Sequence, residues 1–160
     1  MSKRPALIAL CGTSTSTAAE DELGFEVGQL VAARGAVSLC GGLGGIMTSA
    51  ARGVADGGGV CIGLLPGSDP DEGNDALTYS IPTGMGEMRN GLLAKASLGM
   101  IAIGGGYGTL SEIGFARRLG KPVASLASWG VQLPGEASND PGIFWAESPS
   151  AAVDWLFTQV

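Results

Sequence analysis

Leu98 to Ile103, LGMIAI, runs directly into Gly104-Gly105-Gly106-Tyr107-Gly108-Thr109-Leu110-Ser111-Glu112, and the reading of that junction decides the fold. A short continuous apolar run suits a strand buried on both faces, as strands of parallel sheets are. The glycines allow a tight turn. Leu110, Ile113 and Phe115 then mark a packed helix over 108–119. Gly120-Lys121-Pro122 stops it, and Val123 to Leu126 is the next strand.

The same grammar repeats upstream. Ala6 to Leu10 is an apolar strand that ends at Cys11-Gly12-Thr13. Ala19 to Arg34 carries Leu23, Val27, Leu30 and Val31 at helical spacing, with Glu20, Asp21 and Glu22 at its start and Arg34-Gly35 at its end. Ala36 to Cys40 is a second strand, and Gly41-Gly42-Leu43-Gly44-Gly45 turns the chain into a helix from Ile46 to Ala55. Val60 to Leu65 is a third strand, 67–75 a polar loop, Leu77 to Ile81 a short edge strand, and Met85 to Ala96 a helix. Residues 127–147 form a turn-rich segment, unusually long for a plain connection. Ser148-Pro149 opens a last helix through Phe157. Strands alternating with helices predict an α/β fold: one Rossmann-like, three-layer αβα domain over 1–160, with a mainly parallel sheet of about six to seven strands.

Composition narrows the function. The 160 residues are 45% apolar and 15% charged, which suits a well-buried globular chain. The net charge is −6 and the nine basic residues are scattered, so no patch exists to neutralise a nucleic-acid backbone. The absence of histidine removes Ser-His and Cys-His nucleophiles and the common zinc sites. Cys11, Cys40 and Cys61 follow or lie in apolar runs without metal spacing and read as buried free thiols. No segment reaches the ~20 apolar residues of a membrane span, and the run after Pro5 is too short for a signal-peptide core. The expectation is a cytoplasmic protein with no membrane or nucleic-acid partner.

In a parallel sheet, ligands bind beyond the carboxyl ends of the strands. Gly12-Thr13 and both glycine turns fall there. The first N–H groups of the helix after each turn lack helical partners and carry the positive dipole end, so Gly41, Gly42, Gly44, Gly45 and Met47 in one, and Gly105, Gly106, Tyr107, Gly108 and Thr109 in the other, are candidates to hold a phosphate. Thr109 is either a helix cap or a hydroxyl donor to that phosphate. Neither turn is a dinucleotide fingerprint, since Met47 and Thr109 stand where the third glycine would be, and no GxxxxGK[ST] occurs. Glu112 is either a cap or a functional carboxylate, and Arg89 either a surface residue or a bidentate anion ligand.

The segment Gly104 to Glu112 resembles the PGGxGTxxE motif of the Lonely Guy, or lysine-decarboxylase-like, family, whose superfamily includes the molybdenum-cofactor carrier proteins. Cys40 to Met47 resembles its GGGxxGLM motif, and Arg89, 15 residues before Gly104, stands where the family has its arginine. The chain departs in having Gly104 for the motif's proline and Gly86-Glu87-Met88-Arg89-Asn90 for Met-His-x-Arg-Lys. The resemblance implies hydrolysis of the N-glycosidic bond of a nucleoside 5′-monophosphate, with Arg89 and Glu112 catalytic and no cofactor required. The alternative it implies is a non-catalytic carrier or sensor of a phosphorylated ligand, a nucleotide or the pterin-type molybdenum cofactor. It further implies a homodimer or homotetramer, with the helix carrying Arg89 near a subunit contact.

Overall fold

The computed structural model describes residues 4–160. Seven strands form one sheet: β1 (Leu7–Gly12), β2 (Val37–Cys40), β3 (Val60–Leu65), β4 (Tyr79–Pro82), β5 (Gly99–Ile103), β6 (Val123–Leu126) and β7 (Ile143–Ala146). Their order is β4-β3-β2-β1-β5-β6-β7, and every pairing is parallel. The helices are α1 (Ala18–Ala33), α2 (Ile46–Asp56), α3 (Asn90–Ala96), α4 (Tyr107–Arg118) and α5 (Pro149–Gln159).

Alternate residues of the central strands point to opposite layers, which is why these strands read as unbroken apolar runs. Ile8, Leu10, Ile101 and Ile103 pack under α1, α2 and α5. Ala9, Cys11, Met100 and Ala102 pack under α3 and α4. The result is a Rossmann-like, three-layer αβα fold. The chain steps outward from β1 to β4, then crosses back to place β5 on the other side of β1. The gap between the carboxyl ends of β1 and β5 is the topological switch point, where such sheets bind ligands.

α1 begins one residue earlier than expected, because Thr17 and Glu20 form a reciprocal capping box. The helix expected over 85–96 is divided: Gly86–Arg89 is a 3-10 turn and the α-helix starts at Asn90. Gly84 and Gly86 have positive φ, which interrupts an α-helical start there. The edge strand begins at Tyr79, two residues later than expected. β7 lies inside the segment read only as turns. It is pinned by Asp140, whose carboxylate accepts from Arg117 Nε at 2.8 Å, Arg117 Nη2 at 3.0 Å and the Gly142 N–H at 2.8 Å. Cys11, Cys40 and Cys61 are buried and free, with Cys40 and Cys61 Sγ 3.9 Å apart across β2 and β3. No helix among the described residues is long and apolar enough to cross a membrane.

α1 and α2 meet at their backbones. A Cβ on Gly28 would strike the Ala50 carbonyl, and one on Gly53 the Phe25 carbonyl. Neither obstacle is a movable side-chain end. Gly53→Ala is therefore expected to destabilise the fold by about 1–3 kcal/mol, although alanine favours a helix over glycine by ~1 kcal/mol. A raised urea midpoint in the variant would show that the seam has slack.

Candidate ligand-binding site

Three side chains take up carbonyls of the β5–α4 turn. Ser128 Oγ donates to the Gly104 carbonyl, Trp129 Nε1 donates to the Gly106 carbonyl at 3.1 Å, and Ser111 Oγ donates to the Gly108 carbonyl at 2.6 Å. Leu110 N–H also donates to the Gly106 carbonyl, at 3.1 Å. The backbone N–H groups from Gly105 to Thr109 meet no acceptor among the described residues. They are the unpaired donors of a helix start, gathered at the positive end of the α4 dipole.

Thr109 is not the cap of this helix; Gly106 is, and Gly106 has no side chain to offer. Thr109 is only 3% exposed, and its side chain packs where a Cβ on Gly105 would go. Gly105 has φ +110, so glycine is needed there for both space and backbone. The Thr109 hydroxyl has no hydrogen-bond partner among the described residues and borders the cavity at the switch point. Gly104 has φ +55, a conformation proline cannot take, and the Glu20 carboxylate lies where its side chain would start. The departure from the proline motif thus has a local cause.

The first glycine turn is arranged differently. The Ile46 N–H, first in α2, donates to the Thr13 carbonyl at 3.0 Å. The β1–α1 loop therefore takes the first N–H of α2, whereas the first N–H of α4, that of Tyr107, meets no acceptor among the described residues. Asn74 ties the loop at 67–75 to this turn from behind, its N–H donating to the Gly42 carbonyl at 2.9 Å and its Nδ2 to the Leu43 carbonyl at 3.0 Å.

A cavity of about 190 Å³ lies between the two turns. Gly12, Thr13, Met47, Arg89, Gly106, Gly108, Thr109 and Glu112 line it, so the structure brings these sequence-selected residues together. Gly41, Gly42, Gly44, Gly45, Gly105 and Tyr107 stand outside its lining. Ser14, Leu43, Glu87 and Asn90 complete it; Glu87 and Asn90 stand out in the sequence only as less specific neighbours of Arg89, and Ser14 and Leu43 not at all. Asn90 had a legible signal in its place beside Arg89. Its Nδ2 donates to Ser111 Oγ at 3.0 Å, which links the Arg89 turn to α4.

Arg89 is not a solvated arginine. It is 5% exposed, and its Nε donates to the Leu64 carbonyl at 2.8 Å. Nη2 donates to the Gly41 carbonyl at 3.3 Å, and Nη1 donates to Asn90 Oδ1. The guanidinium thus joins the ends of β2 and β3 to α3. Glu112 is not a cap either: it is 6% exposed, with Oε1 4.0 Å from Arg89 Nη1. Burial pushes its carboxyl up to about 7; Arg89 and a hydrogen bond from the Cys11 thiol oppose that rise, and Glu87 adds to it. A carboxyl that changes charge near neutral pH can take or give a proton inside this cavity.

The fold has counterparts in solved structures. The molybdenum cofactor binding protein of the phototrophic bacterium Rippkaea orientalis superposes with a TM-score of 0.87 at 29% identity, over 98% of each chain. The molybdenum cofactor carrier protein of Chlamydomonas reinhardtii gives a TM-score of 0.85 at 28% identity, again over 98% of each chain. An uncharacterized protein of Archaeoglobus fulgidus is 43% identical over 104 residues, 65% of this chain and 68% of that one. The SLOG cluster4 family model matches residues 5–153, a span that takes in the β1–α1 loop, both glycine turns, Arg89 and Glu112, and the chain belongs to that family.

Proposed function

We propose that the chain holds a phosphorylated small molecule at the start of α4 as a carrier, without turning it over. The observation that carries this reading is the run of unpaired N–H groups from Gly105 to Thr109, joined by the hydroxyl of Thr109, which has no partner among the described residues and borders the cavity. An anion there meets a helix dipole and several donors at once, and the net charge of −6 does not oppose it locally. Arg89 gives much of its donor capacity to the Leu64 and Gly41 carbonyls and Asn90. That suits a structural clamp bordering the ligand. The two similar solved structures are a binding protein and a carrier protein for the molybdenum cofactor, which makes a phosphorylated pterin the first ligand to try and a nucleotide the second.

One observation favours a second reading. Glu112, with its carboxyl at about 7, borders the same cavity as the phosphate cradle. That is where a Lonely Guy-type hydrolase would place a group to stabilise an oxocarbenium-like state. Calorimetry with ribose 5-phosphate, AMP and 6-hydroxymethylpterin monophosphate separates the two. The carrier reading expects binding, no adenine released from AMP, and affinity about tenfold weaker in Thr109→Val, which keeps the packing against Gly105 and removes the hydroxyl. Adenine release that Glu112→Gln abolishes would replace the carrier by the hydrolase. Binding of none of the three compounds would sink both.

The same proposal includes a homodimer or homotetramer. Met85, Met88 and Leu92 are exposed on the segment that carries Arg89 and offer apolar surface for such a contact. Light scattering is expected to show a multimer that Met88→Glu with Leu92→Glu converts to monomer. A monomeric wild type would remove the assembly and leave the ligand reading intact.

A further inference from the structure

We infer that Tyr107 and Trp129 form a ledge on which the planar heteroaromatic ring of the ligand stacks; the inference rests on the anion-binding reading above. The cavity of about 190 Å³ is below the ~300 Å³ at which ligand pockets usually begin. It accommodates a phosphate and a sugar-sized group, so a ring attached to them lies beyond the rim.

Between two residues of the lining, Gly106 and Gly108, the chain carries Tyr107, which pairs with Trp129. Tyr107, the first residue of α4, is 84% exposed. Its ring stacks on Trp129 with centroids 6.0 Å apart and planes inclined by 30°. Exposure of that order leaves the outer face of the tyrosine ring free. Trp129 is held in place: its Nε1 donates to the Gly106 carbonyl at 3.1 Å and its own carbonyl accepts from Ser125 Oγ at 2.9 Å. Ala127, two residues before it, has φ +50, a conformation that side-chain-bearing residues seldom adopt. The peptide unit joining Gly106 and Tyr107 offers its carbonyl to Trp129 and its N–H to the cradle, so cradle and ledge share it. A preorganised aromatic surface one residue from a phosphate site suits a base or a pterin. Stacking accepts either, because each offers a π-face.

Binding of AMP, 6-hydroxymethylpterin monophosphate and ribose 5-phosphate to wild type, Tyr107→Ala, Tyr107→Phe and Trp129→Leu tests the ledge. Tyr107→Ala is expected to weaken AMP and the pterin about tenfold, to leave ribose 5-phosphate unchanged, and to be rescued by Tyr107→Phe. Tyr107→Ala and Trp129→Leu that bind both ring-bearing compounds as wild type does, with ribose 5-phosphate still bound, would overturn the ledge and spare the anion site. Equal weakening of ribose 5-phosphate in Tyr107→Ala would also overturn it, since the side chain would then act on the cradle. If wild type binds no ribose 5-phosphate, the anion reading fails and the ledge fails with it.

Discussion

Arg89→Ala is expected to lower folding stability by about 3–5 kcal/mol at pH 8, seen as a large drop in the urea midpoint. The side chain is almost fully buried and is bonded to the ends of two strands and to its neighbour Asn90. Its removal leaves the carbonyls of Leu64 at the end of β3 and Gly41 just past β2 without that donor, and Asn90 Oδ1 without its partner. Each buried group left unpaired costs about 1–3 kcal/mol. Glu112 also loses the cation that favours its ionised form. At pH 8 it must then remain charged without Arg89 or take up a proton, and either adds to the cost. Arg89→Lys recovers little, because a single ammonium on a flexible stem does not reproduce a planar fork aimed at separate acceptors. Loss of ligand binding in these variants would therefore reflect collapse of the strand ends, whatever role Arg89 has toward the ligand. A midpoint unchanged in Arg89→Ala would show that the clamp is replaceable by water.

The junction at 98–112 reads correctly from sequence because each signal in it is local: an apolar run, a glycine turn, then helical periodicity. Strands buried on both faces leave the same local trace, and β1, β2, β3, β5 and β6 were all legible. β7 was not. Ile143–Ala146 is four residues long, half-exposed at its centre, and follows a turn-rich stretch; what holds it is a contact from Asp140 to Arg117 in the preceding helix. The two glycine turns looked equivalent because glycines report permission to turn and say nothing of what arrives from elsewhere. The Thr13 carbonyl takes the first N–H of α2, whereas Ser128 and Trp129 donate to carbonyls of the other turn. Those contacts link residues far apart in the chain and have no sequence period. Residue type drew attention to Arg89 and Glu112, but their burial, which sets the chemistry of both, follows from the packing of α3 and α4 against β1 and β5.

Glu112→Gln is expected to stabilise the protein at pH 8 by up to ~3 kcal/mol and to change it little at pH 4. The carboxyl titrates near 4.5 when unfolded and at about 7 in the fold, with burial the leading cause. Between those values the native state binds a proton that the unfolded state has released. The contribution of Glu112 to wild-type stability is therefore highest below about pH 4.5, falls as pH rises through 7, and levels off above it. Glutamine keeps the shape and does not titrate, so its profile lacks this descent; the lost attraction to Arg89 sets the gain below the full amount. Urea midpoints at pH 4, 6 and 8 for both proteins decide the matter, and a difference that does not vary with pH would remove Glu112 as a proton carrier. The same proton bears on the ligand. A phosphate in the cradle is more welcome beside a neutral Glu112 than beside a charged one, while the phosphate itself becomes dianionic above about pH 6. Affinity for ribose 5-phosphate should then pass through a maximum between those limits in wild type. In Glu112→Gln the alkaline fall should vanish and the acid limb should remain. Retention of both limbs would place the responsible group outside this cavity, and a flat profile in wild type would mean that no dianion is bound there.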